Sequence, residues 1–381
     1  MLNETNISLR QLTILTVLFT VGSAILIVPS GMAAAAKQDA WIAALIGVAA
    51  GLLIVWLMGT LSGYYPQMTL VGILETLLGK WMGKAVALIL ALTLFLAGPA
   101  TVLHDVGDFM TTQMMPETPI QALVILFATV VLMGMRAGIE VLGRSAEALF
   151  PWFVILYVSL VTLISFKIDP HNISPVLESG LAPIWPAALS FINVAFLPHI
   201  ALLLFLPSAA NRPEQFGKNF VLGSLIGSLL LVIIITLSIF VLGPEITARS
   251  LYPSYSLAKK IDIAHFLQRI EVIMATIWFI SLYFRITLYM CAVAYSFAQI
   301  FNLKDYRPLV LPLGMLLVAT SIVVYPNIPF KQTWDTETWT PYILTAGLLL
   351  PAVLLAIHLL RKMIGKMKRR PNPPAPNPQE P

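Results

Sequence analysis

Between Arg10 and Lys37 the chain carries no charged side chain, and stretches of the same kind recur almost to its end. A spanning helix needs about 20 predominantly apolar residues, because hydrocarbon offers no water to an exposed backbone. Ten stretches qualify: 10–37, 39–75, 84–105, 117–136, 147–167, 178–212, 218–245, 269–301, 307–331 and 337–361, the eighth interrupted by Arg285. Of the 381 residues 58% are hydrophobic and 11% charged, against roughly 25% charged in a soluble domain. The chain therefore reads as an all-α integral membrane protein with ten transmembrane helices.

The net charge of +5 sits between the apolar runs and at the C-terminus, not on an aromatic-interleaved patch, so nucleic acid is not a partner. With the N-terminus in the cytoplasm, fifteen Lys and Arg fall inside, seven outside and one, Arg285, within a span. The positive-inside rule favours this orientation, with both termini cytoplasmic. Residues 1–11 form a polar N-terminus, 12–361 the membrane domain, and 362–381 a basic, Pro-rich tail expected to be an extended, solvated segment. No small-residue cleavage site precedes the first apolar run, so a retained first helix is expected, with the mature chain starting near Met1. Two segments are expected not to span: the amphipathic Thr69–Ala85, lying in the interface, and Tyr252–Arg269, an external cap. A single cysteine, Cys291, excludes an intrachain disulfide, and no ligand cluster points to a metal or cofactor. No nucleophile and base are grouped as an enzyme would need.

Ten helices divide into two sets of five, and an odd number per set inverts the second set, giving repeats at about 12–166 and 183–361. The first helix contains "VGSAILIVPSG" and its counterpart, the sixth, "FINVAFLPHIA" with Pro198 in mid-span. Matched interruptions in the two halves point to a binding site near the midplane. The plainer reading is that Gly22, Ser23 and Ala24 only let helices pack closely. Free N–H groups at a half-helix N-terminus suit a carboxylate, and exposed carbonyls suit an ammonium; an α-amino acid has both. Polar groups near the breaks are few (Ser23, Asn193 and His199), which suits a small, mostly apolar ligand.

Arg285 is the remaining anomaly. A cation at mid-membrane costs about 2.5–3.5 kcal/mol on insertion scales and normally faces the bundle interior. Ser281, Arg285, Tyr289 and Ala292 share one helical face. Arg285 either serves a ligand or gate, or ties its helix to carbonyls or to an acid; Glu147, Asp105 and Asp108 all lie near helix ends, not level with it. Gly98-Pro99 should bend the third helix. His104 is expected to be solvated at a membrane end, and Glu140, Arg144 and Glu147 to form a cytoplasmic surface cluster.

The order "ISLRQLTILTVLFTVGSAILIVPSGMA", "LLGKWMGK", "TPIQALVI", "LFPWF", "FKIDPHNISPVLESGLAPI", "FLPSA" and "LLRKM" resembles the spore germination permease family over roughly residues 7 to 364. These are B subunits of the nutrient germinant receptors of endospores, in the amino acid, polyamine and organocation transporter superfamily. The resemblance implies the five-plus-five inverted fold of leucine transporter type, with helices one and six broken. It implies a small-molecule germinant, often an L-amino acid, and partners in an A subunit and a lipoprotein C subunit in the spore inner membrane. By position it places the pocket at Gly22, Ser23 and Ala24, at Gly98, at Phe196, Leu197 and Pro198, and at Arg285 and Tyr289; Asn193 joins them from the polar inventory above. The family's G-x-G on the first helix is here "GSA". An H⁺- or Na⁺-coupled amino acid transporter is the alternative function, and an assembly subunit with a vestigial pocket a third.

Overall fold

The structure, a computed structural model, describes residues 6–260 and 270–368. The first half comprises α1 (Leu9–Val21), α2 (Ala24–Ala36), α3 (Ala40–Tyr64), α4 (Leu70–Leu78), α5 (Lys80–Met114), α6 (Ile120–Ala137) and α7 (Ile139–Ser165). The second half comprises α8 (Ile184–Ala195), α9 (Ile200–Leu203), α10 (Phe216–Leu242), α11 (Pro253–Lys259), α12 (Glu271–Ile300), α13 (Arg307–Val323) and α14 (Pro329–Ile364). Among the described residues, eight helical stretches are long and apolar enough to cross a membrane, and α1 and α13 are shorter apolar helices. One of the eight joins α2 to α3 through a 3₁₀ turn at Lys37–Asp39.

Local chemistry sets the ends. Ser8 and Gln11 form a capping box at α1, the Gln11 N–H donating to Ser8 Oγ at 3.1 Å and the Ser8 N–H to Gln11 Oε1 at 2.9 Å. Gly79, at φ +89°, ends α4 and begins α5 in one residue. The amphipathic segment Thr69–Ala85 is therefore not one interfacial helix: a positive φ cannot continue an α-helix, so 80–85 are the first turns of α5. Of the expected cap at Tyr252–Arg269, α11 forms and packs on α2 and α12, while 261–269 lie outside the described residues. The tail beyond Lys368 also lies outside them.

The core is built around α1, which packs on α10 and α12, while α2 and α3 pack on α8. A Cβ added at Gly223 or Gly227 of α10 would come within 2.7 Å of Thr16 or Thr20 of α1, respectively, so two small residues four apart set this close approach. At the N-terminal face, Ile7 accepts from the Asn211 N–H (3.1 Å) and donates to Ala209 O (2.8 Å), joining the chain start to the end of the sixth helical run. There Glu147 meets Arg10 at 3.7 Å and accepts from Gln11 Nε2 at 2.9 Å, and Glu140 meets Arg144 at 3.8 Å.

At the opposite face Lys331 of α14 pairs with Asp105 of α5, and Tyr252 donates to Asp108 at 2.5 Å. Burial foremost, then the Asp108 carboxylate, raises the Tyr252 pKa, so it stays a protonated donor. His104 is not freely solvated: it is half-buried, its Nδ1 lies 2.8 Å from Ser321 O, and its ring meets Tyr325 edge-on at 5.2 Å. A helix-end residue reaches water only where no neighbouring helix covers it, and here α13 does. The Lys331 and Asp105 side chains are 26% and 9% exposed, so removing one leaves the other poorly solvated. Lys331→Met and Asp105→Asn are each expected to lower stability in detergent by about 1–3 kcal/mol, the double variant by less than their sum. Additive losses in thermal unfolding would show that the pair contributes nothing as a pair.

Candidate ligand site at the broken helices

Both interruptions form, and each leaves carbonyls without helical partners. In the first, α1 stops at Val21 and α2 starts at Ala24, with Gly22 at φ +21° and ψ −122°. In the second, α8 stops at Ala195, Phe196 at φ −118° and ψ −47° caps it, and Leu197–His199 form a 3₁₀ turn before α9. Val194 O would bond the N–H four residues on, but that residue is Pro198, which has none.

Arg285 fills the gap. Its Nη2–H donates to Val194 O at 2.8 Å and its Nη1–H to Phe19 O, near the end of α1, at 3.1 Å. Its guanidinium also lies 5.2 Å from the Phe19 ring centre and 5.7 Å from that of Tyr289. No carboxylate lies within 4.0 Å of it among the described residues. Arg285 is 2% exposed, and its charge rests on the negative ends of two half-helix dipoles.

The other expected residues close around it. A Cβ on Gly22 would overlap Arg285 Cδ, and Gly98, in a π-helical turn at Leu96–Ala100, lies against the Tyr289 ring. Ser23, Ala24, Asn193, Phe196, Leu197, Pro198 and Tyr289 are all buried. Asn193 donates to Thr340 Oγ1 at 2.9 Å and leaves its Oδ1 without a partner. His199 places Nε2 3.0 Å from both Thr20 Oγ1 and Ser224 Oγ. Those hydroxyls also reach Thr16 O (2.7 Å) and Phe220 O (2.9 Å). Among the described residues, four of the five buried side-chain N or O atoms without partners are on α8, α12 or the turn between α8 and α9: Asn193 Oδ1, His199 Nδ1, Trp278 Nε1 and Arg285 Nε. Each such buried, unpartnered group is costly unless a ligand or water uses it.

Some participants escaped sequence reasoning. Phe19 supplies a carbonyl and a ring, Val194 a carbonyl, and α14 a wall through Thr340 and Gly347, whose added Cβ would come within 2.5 Å of Leu197 O. Val194 was findable, since a mid-helix proline always orphans the carbonyl four residues back. The same rule explains Pro29: it orphans Ile25 O, and the Ser254 hydroxyl of α11 donates there at 2.5 Å. Ser254→Ala is therefore expected to cost about 1–3 kcal/mol in thermal unfolding, the penalty of a buried unsatisfied carbonyl; an unchanged melting point would refute this account of Pro29. A separate cavity of about 270 Å³, lined by Gln67, Thr69, Ser208, Tyr295 and Gln299 among others, opens near the N-terminal face, away from the breaks.

Two half-helix breaks facing one another across an inverted repeat define a transporter-fold membrane protein of leucine transporter type. Mhp1, a nucleobase-cation-symport-1 family transporter, superposes with a TM-score of 0.69 at 12% identity over 92% of this chain and 78% of that one. MhsT in complex with L-phenylalanine gives 0.64 at 14% identity over 93% and 99%. Within that class, the chain belongs to the family described as "Spore germination protein", which matches residues 6–362. Relatives include "Spore germination protein KB" of Bacillus subtilis (strain 168), 30% identical over 95% of this chain and 96% of the relative, and "Spore germination protein GerLB" of Bacillus cereus, 24% identical over 87% of each.

Proposed function

We propose that this chain is the membrane subunit of a spore nutrient germinant receptor, binding a small germinant, an L-amino acid, at the broken helices and signalling to A and lipoprotein C subunits. Family membership supports the germination role. The observation that carries the reading is the Arg285 guanidinium across Phe19 O and Val194 O: a tethered cation occupies the unwound carbonyls, where a coupling ion would otherwise be drawn. A cation that cannot leave suits a sensor better than a pump. On this reading residues 12–361 make ten crossings in the spore inner membrane, with the N-terminus and the 362–381 tail on the core side. Ligand biases the two half-helix arrangements only by the difference in its affinity for them.

The test is binding of radiolabelled L-amino acids to the purified protein with its partner subunits, beside uptake into proteoliposomes. Saturable binding without accumulation is expected. The alternative, an H⁺- or Na⁺-coupled amino acid transporter, draws on the transporter-fold neighbours, and gradient-driven accumulation would establish it in place of the receptor.

A further inference from the structure

Arg285 is held by groups that a ligand can take over. Two of its nitrogens are spent on Phe19 O and Val194 O, while Nε is buried and unpartnered. One guanidinium therefore pins the C-terminal ends of α1 and α8 together, with no acid within 4.0 Å among the described residues to anchor it elsewhere. A ligand bearing only a carboxylate would draw the guanidinium off but orphan both carbonyls. One bearing only an ammonium would set two cations side by side in a dry site. A zwitterion does neither: its carboxylate receives the guanidinium through a charge-assisted fork, and its ammonium takes over the carbonyls. The site keeps its one net positive charge, now the ammonium on the two carbonyls, and no hydrogen-bonding group is left without a partner.

We propose that Arg285 is a displaceable staple, exchanged on binding for the two charges of a zwitterionic ligand, so that α1 and α8 are released from one another when the site fills. Arg285 is thus the determinant for the ligand's carboxylate, and its release is the step that reports occupancy. This rests on the broken helices being the ligand site.

The experiment compares the tightest-binding member of an L-amino acid panel with its α-carboxamide and its N-acetyl derivative, on wild type and Arg285→Gln, in the assembled receptor. Wild type should prefer the amino acid to either derivative by at least about tenfold, the worth of a charge-assisted hydrogen bond. In Arg285→Gln the preference over the carboxamide should fall to about threefold or less, while the preference over the N-acetyl form persists; an undiminished carboxylate preference overturns the proposal. Hydrogen exchange on the wild type is independent of the variant's folding. The amino acid should raise exchange of the amides at 22–25 and at Phe196, Leu197, His199 and Ile200, and the carboxamide should not; equal responses, or none, also overturn it. If wild type binds no member of the panel, the ligand-site reading itself fails; if it binds acid and carboxamide equally, only the staple fails.

Discussion

Valine in place of Gly22 is expected to abolish ligand binding and destabilise the protein by several kcal/mol. The residue sits at φ +21° and ψ −122°, where a β-branched side chain is strained, an expense of about 1–3 kcal/mol. Its Cβ would also overlap Arg285 Cδ and come within 3.0 Å of Phe19 O, groups that cannot yield without breaking the guanidinium's hydrogen bonds. Overpacking of a filled interior adds about 1–3 kcal/mol. Amino acid binding and thermal unfolding in detergent measure the two effects. A valine variant that binds normally and melts at the wild-type temperature would mean that the break is not held as described.

Arg285→Ala is the second large effect, and it acts on both half-helices. Phe19 O and Val194 O lose their donors, each buried carbonyl costing about 1–3 kcal/mol. Water entering the vacated volume recovers part of this, so a net loss of about 2–4 kcal/mol in unfolding free energy is expected. Pro198 tests the assignment: in Pro198→Ala a new N–H can reach Val194 O, so the double variant Arg285→Ala/Pro198→Ala should lose less than Arg285→Ala alone. Equal losses would remove Val194 O from the account.

Much of this was legible in the residues. Apolar run lengths set the class, the two interruptions set where the helices break, and the isolation of Arg285 marked it as an interior charge. Asp105 was read as an acid near a helix end, but its partner Lys331 is 226 residues away and had no signature in either segment. His104 likewise looked solvent-facing because nothing local shows that Ser321 and Tyr325 cover it. The junction at Gly79 was misjudged because amphipathic periodicity runs across it, whereas a single positive φ divides the helices.

By itself the sequence determined what is local: where a helix cannot continue, because proline has no N–H and glycine admits angles other residues avoid, and which charge must be buried, because no water-facing end is within reach. Only the tertiary structure decided who satisfies the groups so exposed. The carbonyls of Phe19 and Val194 belong to different repeats and their common donor to a third helix, so their meeting depends on the packing of α1, α8 and α12. Orphaned groups follow from neighbours along the chain, but their partners follow from neighbours in space.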